Sequence, residues 1–233
     1  IELGEVSSLR KDGNDTIVTV DGQDVRARAV LIATGSAYNK LGIPGEDALY
    51  GRGVHYCATC DGAFYKGKRL VVIGGGNSGL QEAMFLTRFA EHIDLLVRST
   101  IKASEILQND LQPFIERGQI SVHLHTESTE IIAEDGKVTG IAAISNGQPT
   151  TFACDGVFVF VGLKPNTGFL QGTPVQLDER GLIITNEHLE TTMPGVFASG
   201  DVRSGATMQI ATAVGEGATA ALSIREYIQQ HKV

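Results

Sequence analysis

The run Arg69-Leu70-Val71-Val72-Ile73-Gly74-Gly75-Gly76-Asn77-Ser78-Gly79 decides the fold. Leu70–Ile73 is apolar and mostly β-branched, which suits a buried strand, and Gly74-x-Gly76-x-x-Gly79 follows it directly. Glycines at this spacing permit a tight turn, close backbone approach to a pyrophosphate and close packing of helix on strand. Leu80, Ala83, Met84 and Thr87 then recur at helical spacing, which predicts a helix over Ser78–Ala90 with Met84 in its core face. With the strand Ile93–Val97 this makes a βαβ unit, hence an α/β fold. In that context Gly74, Gly76, Asn77, Ser78 and Gly79 are candidate dinucleotide contacts; without it, a bare structural turn is the alternative.

An acid about 20 positions beyond the turn would hold the ribose 2′-hydroxyl of NAD. That place reads Leu96-Val97-Arg98-Ser99-Thr100, followed by Lys102. Arg98 and Lys102 suit a 2′-phosphate, so NADPH is expected; an exposed Arg98 ending an edge strand is the reading that keeps NADH open.

Upstream lies Cys57-Ala58-Thr59-Cys60-Asp61-Gly62. Two cysteines at this spacing can close a reversible disulfide, and a helix start would favour a thiolate. The rival readings are a zinc half-site, with His55 as a third ligand, and a packed pair without redox role. Asp61 reads either as an acid that protonates a departing thiolate or as a cap on the following turn. His55 reads as a hydrogen-bonded loop histidine rather than a base, and Cys154 as a small core residue. A dithiol beside a dinucleotide turn reads as a reductase.

The rest of the chain divides around this unit. Strands are expected over Glu2–Leu9, Thr16–Val20 and Val25–Ala33, a meander whose last strand enters a buried sheet. Pro44-Gly45 breaks the chain, and a domain boundary is placed in the Gly42–Tyr50 loop. A helix over Ser104–Arg117 contains Pro113, a strand follows at Ile120–Leu124, and Glu130–Phe152 is β-rich with turns at Asp135-Gly136 and Asn146-Gly147. Gly156–Gly162 and Val196–Ser199 read as buried strands. The closing helix, Gln209–Gln229, carries so many small residues that close packing on it is expected. The final segments lack a sheet of their own, so the chain is expected to leave one domain, build a second and return. The fold class is thus α/β, two Rossmann-like three-layer domains with β-meanders, over 1–45 with 165–233 and over 46–164.

Composition narrows the partners. Hydrophobic residues make up 42% and charged residues 20% of the 233, and 28 glycines fit many tight turns. A formal charge of −8 argues against nonspecific binding to nucleic acid or an anionic membrane. Three cysteines do not make a disulfide framework and point to a reducing, cytoplasmic setting. No apolar run approaches the roughly 18 residues of a membrane span, and no signal peptide is expected. Ile1 in place of an initiator methionine leads to the expectation that a segment precedes this sequence.

Taken together, Ala33-Thr34-Gly35, Cys57–Gly62, Gly74–Gly79, Gly195-Val196-Phe197-Ala198-Ser199-Gly200-Asp201-Val202 and Ala211–Ala221 resemble the low-molecular-weight thioredoxin reductases, in this order and over essentially the whole chain. The resemblance implies an FAD domain interrupted by an NADPH domain that carries the dithiol. It implies electron flow from NADPH through FAD to the Cys57–Cys60 disulfide and on to a thioredoxin-like protein. Cys60 then faces the flavin, Cys57 attacks the partner, and Asp61 donates the proton. Gly42–Gly53 and Gly162–Gly168 correspond to hinges, and a homodimer is implied. Thr34, Gly35, Gly200, Asp201, Met208, Gln209 and Ile210 fall in FAD-binding segments. Three departures accompany the match: the family's first FAD-binding strand, turn and helix have no counterpart, its His-Arg-Arg is represented by Val97-Arg98-Ser99 with Lys102, and its arginine before the flavin-facing glutamine is Met208. A flavin-dependent dithiol oxidase, a reductase module serving a peroxidase and a non-catalytic nucleotide-binding fragment are the alternatives.

Overall fold

The computed structural model describes residues 1–231. By its own contacts the chain forms two compact units, Ile1–Ala37 with the chain from Leu163 on, and Tyr38–Gly162.

The second unit is built on a five-stranded parallel sheet in the order Val54–His55, Gly156–Val159, Arg69–Ile73, His92–Leu96, Ile120–His123. Side-chain alternation along a strand sends Leu70 and Val72 to one face and Val71 and Ile73 to the other. The first pair packs with Leu80, Ala83, Leu86 and Leu111 from the helices Asn77–Leu86 and Glu105–Glu116. The second pair packs with Ile131, Val138 and Ile141 from an antiparallel sheet, Thr126–Glu134, Lys137–Ser145 and Gln148–Ala153. Both faces of the parallel sheet are therefore covered, which is why its strands read as continuous apolar runs.

The two hairpin turns fall at the expected dipeptides. Asp135 and Gly136 have φ of 50° and 73°, and Asn146 and Gly147 have 48° and 79°, the positive pairs that match the twist of adjoining strands. Ser104 caps the second helix by accepting the Leu107 N–H, and the helix runs through Pro113.

In the first unit the meander is Val6–Asp12, Asp15–Val20 and Gln23–Ala27, all antiparallel. Here the expected strand Val25–Ala33 proves to be two strands. Gln23–Ala27 completes the meander, whereas Val30–Ile32 pairs in parallel with Val196–Ala198. The chain changes partners at Arg28-Ala29, and hydropathy carries no record of a partner's direction. Burial is also one-sided: Ile32 is buried but Leu31 is 37% exposed. The core of this unit joins Leu9 and Ile32 to Leu170, Ile183, Met193, Val196 and Val202.

The closing helix spans Ile210–Gln230, and Tyr227 packs edge-on against Phe197 of the parallel pair. The close packing expected along it holds locally. Ala220 is fully buried and Ala213 lies beside Gly200, but a Cβ placed on Gly215 or Gly217 would meet nothing within 4 Å. Small residues permit close approach without requiring it.

Candidate active site

Cys57 ends an extended segment and sits at the N-cap of the one-turn helix Ala58–Asp61. It is joined to Cys60 by a disulfide, with the Cα atoms 5.3 Å apart. The Cys60 N–H donates to the Cys57 Sγ at 3.1 Å, so the backbone already offers a hydrogen bond to negative charge on that sulfur. Cys57 is half-buried and Cys60 exposed. Cys154 is a core residue next to Val157 and Val159, and burial pushes its thiol up to about 12. Among the described residues no group of three His, Cys, Asp or Glu side chains is placed to hold a metal ion.

Asp61 does not cap the turn Gly62–Tyr65 that follows it, which corrects one of the two readings of this residue. Its Oδ2 lies 3.0 Å from Nδ1 of His55 instead. His55 in turn is not a loop residue. It lies on the edge strand Val54–His55, 7% exposed, stacked on Phe158 with ring centroids 5.1 Å apart. Its Nε2 is 2.7 Å from the Tyr65 hydroxyl, whose pKa burial pushes up to about 12, with the Asp61 charge adding to the effect. Tyr65 carried no signal in the sequence; it joins the site because the Gly62–Tyr65 turn folds back over the edge strand.

The glycine turn has the form its spacing predicts. A Cβ on Gly74 would stand 2.3 Å from the Phe160 carbonyl, and one on Gly79 would stand 2.2 Å from the Gly74 carbonyl, so both positions exclude a side chain. Over Gly76 there is nothing within 4 Å. Gly76 is the N-cap of the Asn77–Leu86 helix and offers no side-chain cap to its first amides. Such an uncapped helix start above a glycine cradle fits a dinucleotide pyrophosphate. The Asn77 Oδ1 accepts the Ser104 N–H at 2.9 Å, and the Lys102 and Ala103 amides both donate to the Gly75 carbonyl, at 2.7 and 3.2 Å. These bonds hold the Arg98–Lys102 loop against the glycine turn. Arg98, Ser99 and Lys102 are exposed, and neither cation has an acidic partner among the described residues.

In the other unit, Thr34-Gly35 and Ser199-Gly200-Asp201 follow the C-terminal ends of the two parallel strands, the edge at which open α/β sheets bind ligands. Thr34 and Asn166 exchange two hydrogen bonds of 2.8 Å, and the Ser36 hydroxyl donates to the Asp201 carbonyl at 2.6 Å. The Gly200 N–H donates to Glu216 at 2.7 Å, and Arg203 pairs with the same carboxylate and holds it below the usual range. Met208 adopts φ of 58°, Gln209 is the N-cap of the closing helix, and Ile210 is 86% exposed. Glu216, Arg203 and Asn166 escaped the sequence reading, because a buttress lies anywhere the chain returns and follows no spacing rule.

Comparison with known proteins agrees with this arrangement. Residues 3–217 match the pyridine nucleotide-disulphide oxidoreductase family. The chain is 39% identical over 230 residues to the thioredoxin reductase of Bacillus subtilis (strain 168), an alignment covering 97% of this chain and 72% of that protein. It is 38% identical over 220 residues to a component of the alkyl hydroperoxide reductase of Xanthomonas campestris pv. phaseoli, covering 93% of this chain and 41% of that one. The crystal structure of thioredoxin reductase from Streptococcus pyogenes MGAS5005 superposes with a TM-score of 0.90 at 37% identity, covering 97% of this chain and 74% of that one. The chain therefore belongs to the pyridine nucleotide-disulphide oxidoreductases and, within them, to the low-molecular-weight thioredoxin reductase family.

Proposed function

We propose that this chain is the disulfide-reducing part of an NADPH- and FAD-dependent thioredoxin-disulfide reductase. The observation that carries the reading is the Cys57–Cys60 disulfide, one sulfur hydrogen-bonded by backbone and the adjacent Asp61 held by His55, in the same compact unit as the glycine turn. When bound, the nicotinamide and flavin supply the electron pair that opens this disulfide.

In this reading residues 46–164 bind NADPH, with Gly74, Gly76, Asn77, Ser78 and Gly79 around the pyrophosphate and Arg98, Ser99 and Lys102 around the 2′-phosphate. Residues 1–45 and 165–233 bind FAD through Thr34, Gly35, Gly200, Asp201, Met208, Gln209 and Ile210. Cys57 is the sulfur that attacks the partner, because the Cys60 N–H lowers the cost of its thiolate. Cys60 resolves the mixed disulfide, and Asp61 handles its proton. The partner is a thioredoxin-like small disulfide protein met in the cytoplasm by a homodimer. Phe64, 80% exposed four residues after Cys60, offers that partner an apolar contact.

The test is anaerobic titration of the purified flavoprotein with NADPH, together with Cys57→Ser and Cys60→Ser. Both variants should keep flavin bleaching and lose reduction of a thioredoxin-like protein. Undiminished reduction by either variant sinks the proposal. The similarity to a hydroperoxide reductase component supports a second reading, a reductase module serving a peroxidase. It is favoured if the dithiol reduces a peroxidase disulfide faster than a thioredoxin.

A further inference from the structure

His55 is a buried titratable side chain against the residues of the disulfide site, and the exchange reaction proposed above gives it no step of its own. Both ring nitrogens are engaged: Nδ1 with Asp61 at 3.0 Å, Nε2 with the Tyr65 hydroxyl at 2.7 Å. A carboxylate can only accept, so Nδ1 carries the hydrogen. In the neutral ring with hydrogen on Nδ1, Nε2 is an acceptor, and the Tyr65 hydroxyl, whose pKa is pushed up to about 12, donates to it. The pair of contacts therefore selects one tautomer and one ring orientation. Phe158 stacked on the ring fixes its plane. The titratable groups around it are Asp61 on the short helix and Tyr65 on the following turn, with Cys154 and Asp155 acting on Tyr65. The neighbouring strand presents the Phe158 ring.

We propose that His55 is a positioning residue for thiol–disulfide exchange: it holds Asp61 by Oδ2 and so presents Oδ1 to the sulfur of Cys60. This rests on the reading of Cys57 and Cys60 as a reversible dithiol with Asp61 as its acid–base group. In the reduced form Cys57 is a thiolate and Cys60 a thiol. The Cys57 thiolate attacks one sulfur of a partner disulfide; a Cys57–partner bond forms and the partner's first thiolate leaves. Cys60 passes its proton to Asp61 and attacks the Cys57 sulfur. The Cys57–Cys60 bond re-forms, and the partner's second sulfur leaves and takes that proton from Asp61. Two electrons move from the dithiol to the partner disulfide, and charge and protons balance. A carboxyl that must take and return one proton in a single exchange benefits from being held in one orientation.

The experiment needs no flavin. The chain is reduced with tris(2-carboxyethyl)phosphine, freed of it, and mixed with oxidised glutathione, and the Cys57 mixed disulfide and its closure are followed by acid quench and mass spectrometry across pH. His55→Phe should slow closure about tenfold, less than the roughly hundredfold or more of a lost general acid–base group, because the carboxyl stays in place and loses only its orientation. His55→Asn, whose amide N–H replaces Nδ1–H, should recover most of the rate. Adding His55→Phe to Asp61→Asn should slow closure no further. Tyr65→Phe should slow closure about threefold, the worth of one neutral hydrogen bond, and carries the test if His55→Phe does not fold. A wild-type rate in His55→Phe or, failing that, in Tyr65→Phe overturns the inference while leaving the reductase reading intact. So does a His55→Phe effect that multiplies with that of Asp61→Asn. A wild-type chain that never closes the disulfide sinks the reductase reading, and this inference with it.

Discussion

Arg98 and Lys102 are exposed cations beside the glycine turn, held there by two backbone bonds to the Gly75 carbonyl rather than by any acid among the described residues. A 2′-phosphate would be their natural partner, since charge-assisted hydrogen bonds to phosphate are the strong ones. Replacing either by alanine should weaken NADPH binding about tenfold, the size of one such bond, and leave NADH within a factor of about two. Calorimetric titration with both nucleotides checks this. Equal loss for the two would mean the cations act on the pyrophosphate or on the fold. The residues that sequence analysis identified are those with fixed spacing, Cys57 to Cys60 and Gly74 to Gly79. His55 was legible as a residue but not as a partner of Asp61 and Tyr65, because their meeting depends on a turn folding back over an edge strand.

At the scale of elements, the glycine turn and the closing helix make opposite demands. Gly79→Ala puts a methyl 2.2 Å from the Gly74 carbonyl and must push the helix off the strand. It should cost about 1–3 kcal/mol of stability, as overpacking does, and abolish nucleotide binding. Gly76→Ala meets nothing within 4 Å, so thermal stability should stay near wild type while nucleotide affinity falls, the methyl filling the cradle. If both variants unfold alike, the turn is a packing device alone. The closing helix is tied to the Gly200 turn through Glu216, whose carboxylate accepts from the Gly200 N–H and pairs with Arg203. The Arg203 hydrogen bond holds its pKa below the usual carboxylate range, so its contribution is complete above the unfolded pKa and is lost as pH falls through the folded one. Glu216→Gln should destabilise by about 1–2 kcal/mol at neutral pH, in the range of a charged hydrogen bond. Its deficit against wild type should shrink in denaturant titrations taken into the acid range; a constant deficit would show that charge is not the cause.

On the scale of the whole molecule, each buried apolar cluster lies within one compact unit. The parallel sheet of the Tyr38–Gly162 unit has helices on one face and an antiparallel sheet on the other, so its core closes without residues from outside that range. Residues 38–162 expressed alone should therefore unfold in one cooperative transition with near-native circular dichroism, and absence of a transition would show that the unit borrows stability from the remainder. The sequence by itself determined the α/β class, the Cys57–Cys60 pair, the glycine turn and the hairpin dipeptides, because each depends on interactions within a few residues or on one hydrophobic period. Only the tertiary structure decided that Val25–Ala33 is two strands with different partners, that Asp61 turns to His55 instead of capping its own turn, and that Glu216 reaches Gly200. These are meetings between elements separated along the chain. Spacing along the chain constrains neighbours within an element, while the partner an element meets is set by how sheets and helices pack.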